Sequence, residues 1–325
     1  MGSPITPTTP VTPVTIDCHY LDQPRVAAAY LIRDGDRAAF IDNNTTHAVP
    51  RLLAALAAEG LTPSQVEYVI VTHVHLDHAG GTAALAAACP HATVLCHPRA
   101  ERHLIDPSKL VQSARTVYGA ENFARLYGEI EPIAAARVRA IGDGERVGFG
   151  DRALTFLHTR GHANHHACIL DEQTGSIFTG DAFGLHYPRF QQHGPFAFPS
   201  TSPTDFDPVE ARRSIERIVG TGATRVYPTH FGEVTALAET RAQLIDHLDQ
   251  SEQVLEAAIA SDLPDAELEG LCASRLRAVF DLAAARRGLT LSADDNAFLA
   301  LDLDLNAQGV AFVAGRRRRE RHGAR

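Results

Sequence analysis

The segment VTHVHLDHAGG, residues 71–81, places three histidines and one aspartate within six positions, directly after a run of β-branched residues. His73 and His75 are two positions apart, so at the end of a strand their side chains project to the same face. Asp77 and His78 then fall in the turn into a following helix. One tetrahedral ion needs only three or four ligands, so this segment indicates a site for more than one metal ion.

More side chains that can bind metal follow later predicted strands, where they converge in open α/β sheets. The segments HTRGHANHH, TGDAFG and PTHFG supply His162, Asp181 and His230. Asp42 ends another predicted strand, in AAFIDNN. The other histidines of the first of these segments are expected to be structural: His158, His165 and His166.

The order of the segments predicts one large α/β unit followed by helices. Residues 1–14 are rich in Thr and Pro and are predicted to be a disordered tail. Residues 15–233 alternate strand-like and helical runs, which predicts sheets covered by helices. A mostly helical insertion is expected at about 99–130. Residues 234–315 have helical periodicity throughout, and 316–325 form a basic tail.

Composition excludes several classes of protein. The net charge of −9 argues against a nucleic-acid partner. Five scattered cysteines without a C-x-x-C pair indicate reduced, buried thiols and a cytoplasmic location. The N-terminal residues do not form a signal peptide, and no 18 apolar residues run together, so we expect no membrane span.

Taken together, these motifs resemble those of the metallo-β-lactamase fold superfamily. The pattern H-x-H-x-D-H, a later G-H, a later G-D and a final His occur in that order across about residues 15–232. The resemblance implies an α/β fold, a four-layer αβ/βα sandwich with the site at the edge of two facing sheets. It also implies two ligand sets: His73, His75 and His162 for one ion, and Asp77, His78 and His230 for the second. Asp181 would bridge the two ions. Asp42 would bind no ion itself but would form a hydrogen bond to a ligand or to a loop of the site.

The implied cofactors are two divalent metal ions. Zn is favoured, and Fe or Mn stays open, because this set of His and Asp ligands does not select among them. Two ions would provide a hydroxide nucleophile, and Asp77 would orient it and pass a proton to the leaving group. Tyr187 resembles a tyrosine of related lactonases that donates to a carbonyl oxygen. Thr159-Arg160 stands where the family often has Thr-Pro, which places a cation near the pocket.

The favoured function is hydrolysis of an ester, thioester or lactone. The helical C-terminal region is similar in position and kind to the helices that wall the pocket of glyoxalase II and of PqsE-like thioesterases. The alternatives are a mononuclear iron enzyme like persulfide dioxygenase, and a signalling or binding protein with vestigial hydrolase activity. The expected partner is a small-molecule substrate, with no nucleic acid and no membrane; a homodimer through the C-terminal helices stays open.

Overall fold

The structure is a computed structural model, and it describes residues 12–201 and 204–323. Residues 1–11 of the predicted N-terminal tail lie outside the described residues. The remainder forms two β-sheets, each covered by helices on its outer face.

The first sheet has six strands in sequential order. These are β1 (Val14–Asp17), β2 (Ala28–Asp34), β3 (Arg37–Ile41), β4 (Val66–Ile70), β5 (Thr93–Cys96) and β6 (Val138–Ala140). The strands β1, β2 and β3 pair antiparallel, whereas β3 to β6 pair parallel. Parallel pairing places the carboxyl ends of β3, β4, β5 and β6 at one edge of the sheet.

Helices provide the crossovers that parallel strands require. They are α1 (Val49–Ala58), α2 (Leu76–Ala79), α3 (Thr82–Ala88), α4 (Pro98–Ile105), α5 (Ser108–Tyr118) and α6 (Ala120–Tyr127). In α1, Leu52 and Leu56 are four positions apart and both are fully buried, so one face of the helix packs on the sheet. The helices α4, α5 and α6 occupy most of the helical insertion predicted at about 99–130.

The second sheet has five strands, in the order β11-β10-β9-β8-β7. They are β7 (Arg146–Phe149), β8 (Arg152–His158), β9 (Ala167–Asp171), β10 (Ser176–Gly180) and β11 (Arg225–Pro228). The strands β10 and β11 pair parallel through α7 (Pro208–Gly220), and the other pairs are antiparallel.

The inner faces of the two sheets share one apolar core. It includes, from the first and the second sheet, Tyr30, Ile41, Ile70, Phe156, Ile169 and Phe178. Separate cores lie between each sheet and its outer helices. Helix, sheet, sheet and helix therefore form four layers, which confirms the predicted αβ/βα sandwich.

Three long helices follow the sandwich: α8 (Leu237–Ala260), α9 (Leu268–Arg286) and α10 (Ala293–Gly323). They pack on one another and, through α8, on α7. By length and composition alone, residues 293–321 could cross a membrane, which the sequence analysis did not anticipate. In the structure this part of α10 packs against α8 and α9 and buries Val310 and Val313.

The structure differs from the expectation of a separate basic tail at residues 316–325. The helix α10 continues to Gly323, because neighbouring groups accept hydrogen bonds from its arginines. Arg318 donates to the carbonyl oxygens of Ala258 and Leu263, and Arg317 forms an ion pair with Glu256.

Candidate metal centre

The predicted ligands all follow the ends of strands, at the edge where the two sheets meet. After β4 the chain stays extended to His75, whose φ of −62° and ψ of 147° end the extended segment. The helix α2 begins at Leu76, and the amides of His78 and Ala79 donate to the carbonyl of His75. This change from extended chain to helix turns the four side chains of the first motif toward one region.

Three imidazole nitrogens meet in a first cluster. His73 Nε2 lies 3.0 Å from His75 Nδ1 and 3.2 Å from His162 Nε2, and the last two atoms are 3.0 Å apart. Burial, reinforced by neighbouring histidines, holds the pKa of His73 and His75 well below its usual value. Burial also lowers the pKa of His162. The neutral imidazole is favoured, and that is the form that binds a metal ion.

A second cluster contains Asp77, His78 and His230. The Nε2 atom of His230 lies 3.3 Å from Asp77 Oδ2, and that of His78 lies 3.7 Å from the same oxygen. Burial alone would lower the pKa of His230, but the carboxylates of Asp181 and Asp77 raise it to about 9. This cluster is therefore a region of negative charge that would stabilise a bound cation.

Asp181 lies between the two clusters. Its Oδ1 is 3.3 Å from His78 Nε2, and its Oδ2 is 3.5 Å from His162 Nε2. Both His78 Nε2 and Asp181 Oδ1 are buried, and apart from this mutual contact, which lacks hydrogen-bond geometry, neither has a hydrogen-bond partner among the described residues. Orphaned buried polar atoms are rare unless something else binds them. The donor set of imidazoles and carboxylates fits divalent metal ions.

Asp42 lies outside the clusters and holds one of their histidines. Its Oδ2 accepts hydrogen bonds from His78 Nδ1 at 2.8 Å and from the Thr229 hydroxyl at 2.7 Å. Its Oδ1 accepts the amide hydrogen of Thr72 at 2.8 Å. These contacts fix the ring of His78 with Nε2 toward the second cluster, and they join the ends of β3, β4 and β11. The structure thus places Asp42 in contact with His78, which the resemblance implies as a ligand.

His166 positions the backbone at Asp181. Its Nδ1 is 2.8 Å from the Thr159 hydroxyl, and its Nε2 accepts the amide hydrogen of Asp181 at 3.3 Å. Gly180 has a φ of +48°, and a Cβ there would lie 2.6 Å from His166 Nε2 and 2.7 Å from Thr72 Oγ1. Only glycine fits this close approach, which explains the G-D motif in physical terms.

The other two histidines of that loop make structural contacts. His158 Nε2 lies 3.0 Å from the carbonyl oxygen of Ile141. His165 Nδ1 accepts a long hydrogen bond of 3.5 Å from the amide of Val74. Neither side chain belongs to the three groups of His, Cys, Asp and Glu side chains in the described chain that could hold an ion.

A cavity of about 430 Å³ opens onto both clusters. Its wall is formed by the helices α5, α6 and α10 and by segments near residues 20–26 and 185–187. Tyr187 lies in this wall near Asp302 of α10, and burial together with the charge of Asp302 raises the pKa of its hydroxyl well above the usual value. The Tyr187 hydroxyl therefore keeps its hydrogen, and its role as a donor to a substrate carbonyl stays a prediction.

Asp302 is a wall residue that the sequence analysis missed. It is half-buried, and burial raises its pKa to about 6. Its signal in the sequence is a carboxylate within an apolar stripe, with Phe298, Leu301 and Leu305 one position or one turn away. A polar residue on a helix face that should be buried indicates function rather than stability.

Replacing Asp302 by Asn should stabilise the metal-free protein above about pH 6. In the folded state the pKa of Asp302 is about 6, whereas in the unfolded chain we expect the ordinary value of 3.8. The folded protein therefore binds this proton more tightly than the unfolded chain does. Wild-type stability therefore falls as pH rises through this window, and that of the variant does not. The difference in free energy of unfolding should be smallest near pH 4 and reach about 1–3 kcal/mol above about pH 7.

Denaturant unfolding across this pH range measures that difference. Asp304, exposed two positions further along α10, provides the matched control variant Asp304→Asn. A difference between Asp302→Asn and wild type that stays constant with pH would contradict the expectation.

The comparisons with known proteins identify the family and the fold. The family model described as the metallo-beta-lactamase superfamily matches residues 22–230. The chain therefore belongs to the metallo-beta-lactamase superfamily. An archaeal protein of this superfamily from Sulfolobus tokodaii has a similar structure, with a TM-score of 0.63 and 20% identity over 92% of this chain and 97% of that one. At this identity the likeness shows the fold.

Two curated relatives have names that describe an activity. The atrochrysone carboxyl ACP thioesterase of Aspergillus fumigatus is 27% identical over 235 residues, 70% of this chain and 58% of that protein. The hydroxyacylglutathione hydrolase of Aeromonas hydrophila is 26% identical over 153 residues, 47% of this chain and 44% of that protein. The matches thus span less than two thirds of the length of either relative.

Proposed function

We propose that this protein is a dinuclear metal-dependent hydrolase that cleaves an ester, thioester or lactone. The observation that carries the proposal is the placement of Asp181, with one carboxylate oxygen toward each cluster. A single ion would not need a carboxylate between two sets of three donors. The thioesterase and hydrolase names of the two curated relatives support the same class of reaction.

The ligand sets in this proposal are those expected from the sequence. The first ion would be held by His73, His75 and His162, and the second by Asp77, His78 and His230, with Asp181 shared. Zn is the favoured metal, and Fe and Mn offer the same coordination chemistry. When bound, two such ions lower the pKa of a shared water and polarise the substrate carbonyl.

The chain's own residues would supply orientation, proton transfer and exclusion of water. The side chain of Asp77 is 25% exposed, whereas that of Asp181 is only 6% exposed. Asp77 therefore reaches the cavity, where it can orient the attacking water and pass a proton to the leaving group. Asp42 keeps His78 in one tautomer, with Nδ1 protonated and Nε2 free. Apolar side chains of α5 and α10 exclude bulk water from the carbonyl.

The mononuclear iron alternative would use one ion, and the second cluster would then bind no metal. The negative charge around His78 and His230 argues against that reading. A panel of acyl esters, acyl thioesters and lactones, assayed after metal loading and again after chelation, tests the proposal. We expect chelator-sensitive hydrolysis of at least one class. Oxygen uptake on a persulfide with one bound iron, and no hydrolysis, would overturn it.

Replacing Asp42 by Asn should weaken binding at the second cluster selectively. Asparagine presents an amide where His78 and two threonines donate hydrogens, so the ring of His78 loses its fixed orientation. Loss of a contact of this kind typically lowers metal affinity by about 10- to 100-fold. Competition with a chelator measures both affinities, and the first cluster serves as the internal reference. Equal weakening at both clusters would indicate general unfolding and contradict the assigned role.

A further inference from the structure

The wall of the cavity carries no lysine or arginine among the residues that the structure describes. The two arginines closest to the site in sequence have other partners. Arg160 donates to Asn164 at 2.9 Å, and Arg189 forms an ion pair with Asp295 at 2.7 Å. Away from the clusters the wall is mainly apolar, with Val26, Leu76, Leu110, Leu185, Phe298 and Leu305. Away from the histidines of the two clusters, an anionic substrate group would therefore find no protein cation to pair with there.

Asp302 is the one charged side chain in that wall, within the described residues, that does not belong to a cluster. A carboxylate offers about four acceptor positions, of which the nearby Tyr187 hydroxyl could occupy only one. Because Asp302 lines the cavity and is only half-buried, its remaining acceptor positions are accessible to a ligand. The partly buried apolar neighbours Phe298 and Leu305 limit the access of bulk water, which strengthens any hydrogen bond or repulsion at this carboxylate.

Asp302 also lies close to the reacting end of the cavity. The ring of the nearby Tyr187 is centred 6.1 Å from the ring of His230 in the second cluster. One face of α10, from Ala297 to Gln308, lines the cavity over a length of about 16 Å. An acyl chain along this face would contact leucines, with Asp302 near the carbonyl end.

We infer that Asp302 is a specificity-determining residue of this site. It selects uncharged acyl substrates that carry an O–H or N–H group within a few bonds of the reacting carbonyl, and it disfavours acyl groups that carry a carboxylate. The inference rests on the proposed hydrolase function and adds the substrate class. A hydroxyl or amide hydrogen donates to the carboxylate, whereas a second carboxylate meets like charge and finds no lysine or arginine in this part of the wall.

Three thioesters of equal chain length test the inference at about pH 8, where Asp302 is ionised. One has an unsubstituted acyl chain, one a hydroxyl at the third carbon and one a carboxylate at the same carbon. For wild type we expect kcat/KM to be highest for the hydroxyl compound and lowest for the carboxylate. In Asp302→Asn the ratio of the hydroxyl to the carboxylate compound should fall by about 10- to 100-fold, the range for a hydrogen bond to a charged group. Asp304→Asn, with the same charge change on an exposed part of the same helix, should keep the wild-type ratio.

A binding measurement separates this inference from the proposed function. Calorimetry on the metal-free protein compares a 3-hydroxyacyl amide with the matching carboxylate, without any need for turnover. Suppose that no variant hydrolyses any substrate, but that wild type prefers the hydroxyl compound in binding and Asp302→Asn does not. This result would contradict the hydrolase proposal and would still support the role of Asp302. An Asp302→Asn protein that retains both wild-type ratios, in kcat/KM and in binding, would overturn the inference.

Discussion

Asp181→Asn should lower kcat by at least about 10³-fold and reduce the metal content from about two ions per chain to one or fewer. Asparagine keeps the size of the side chain but replaces one carboxylate oxygen by an NH₂ group, which does not bind a cation. Because the two oxygens of Asp181 face different clusters, the exchange would remove the one ligand that the two ions of the proposed site share. This loss of activity should exceed the loss of about 10- to 100-fold that is typical when a residue that only contacts a metal ligand is replaced.

Elemental analysis and steady-state kinetics on the same preparation measure both quantities. Asp304→Asn is the control for a lost carboxylate on the surface and should behave as wild type. An Asp181→Asn protein with two ions and wild-type kcat would show that the carboxylate does not connect the clusters.

Asp77→Asn should lower kcat on an ester or thioester by at least about 10²-fold, the low end for a lost acid–base group. The change removes one negative charge beside His78 and His230 and also the group that would carry the proton. The second ion should bind more weakly, while the ion at His73, His75 and His162 stays bound. Metal affinity measured site by site, alongside kcat, checks both parts.

The two parts can be separated by excess metal. At metal concentrations that restore both ions, kcat of Asp77→Asn should still be at least about 10²-fold low, because the proton carrier is missing. Recovery of wild-type turnover with both sites filled would mean that Asp77 serves as a ligand only.

The residues of both clusters could be predicted from the sequence because they follow strand ends in short motifs. His73, His75, Asp77 and His78 lie within six positions, so strand and turn geometry alone brings them together. Gly180 adds a second local signal, since only glycine allows His166 and Thr72 to approach so closely. Sheets covered by helices were predicted from the alternation of strand-like and helical runs, whereas the four-layer sandwich was implied by the resemblance to the superfamily.

The wall of the cavity could not be predicted in this way. Tyr187 and Asp302 are separated by 115 positions, and their contact depends on how α10 packs against the sandwich. Tyr187 was noted only for its resemblance to a lactonase tyrosine, and Asp302 is one of two aspartates in DLDLN. The arginine run was mistaken for a tail for a related reason: its acceptors on Ala258 and Leu263 are more than 50 positions away in sequence.

The most direct test of the account is a crystal structure of the metal-loaded protein with anomalous diffraction at the absorption edge of the bound metal. If the site is dinuclear, we expect two ions about 3.5–4 Å apart, the usual separation in two-metal sites. One should contact His73, His75 and His162, the other Asp77, His78 and His230, and one oxygen of Asp181 should contact each. A single ion at saturating metal, with Asp77, His78 and His230 free of metal, would contradict the dinuclear site and the hydrolytic mechanism built on it.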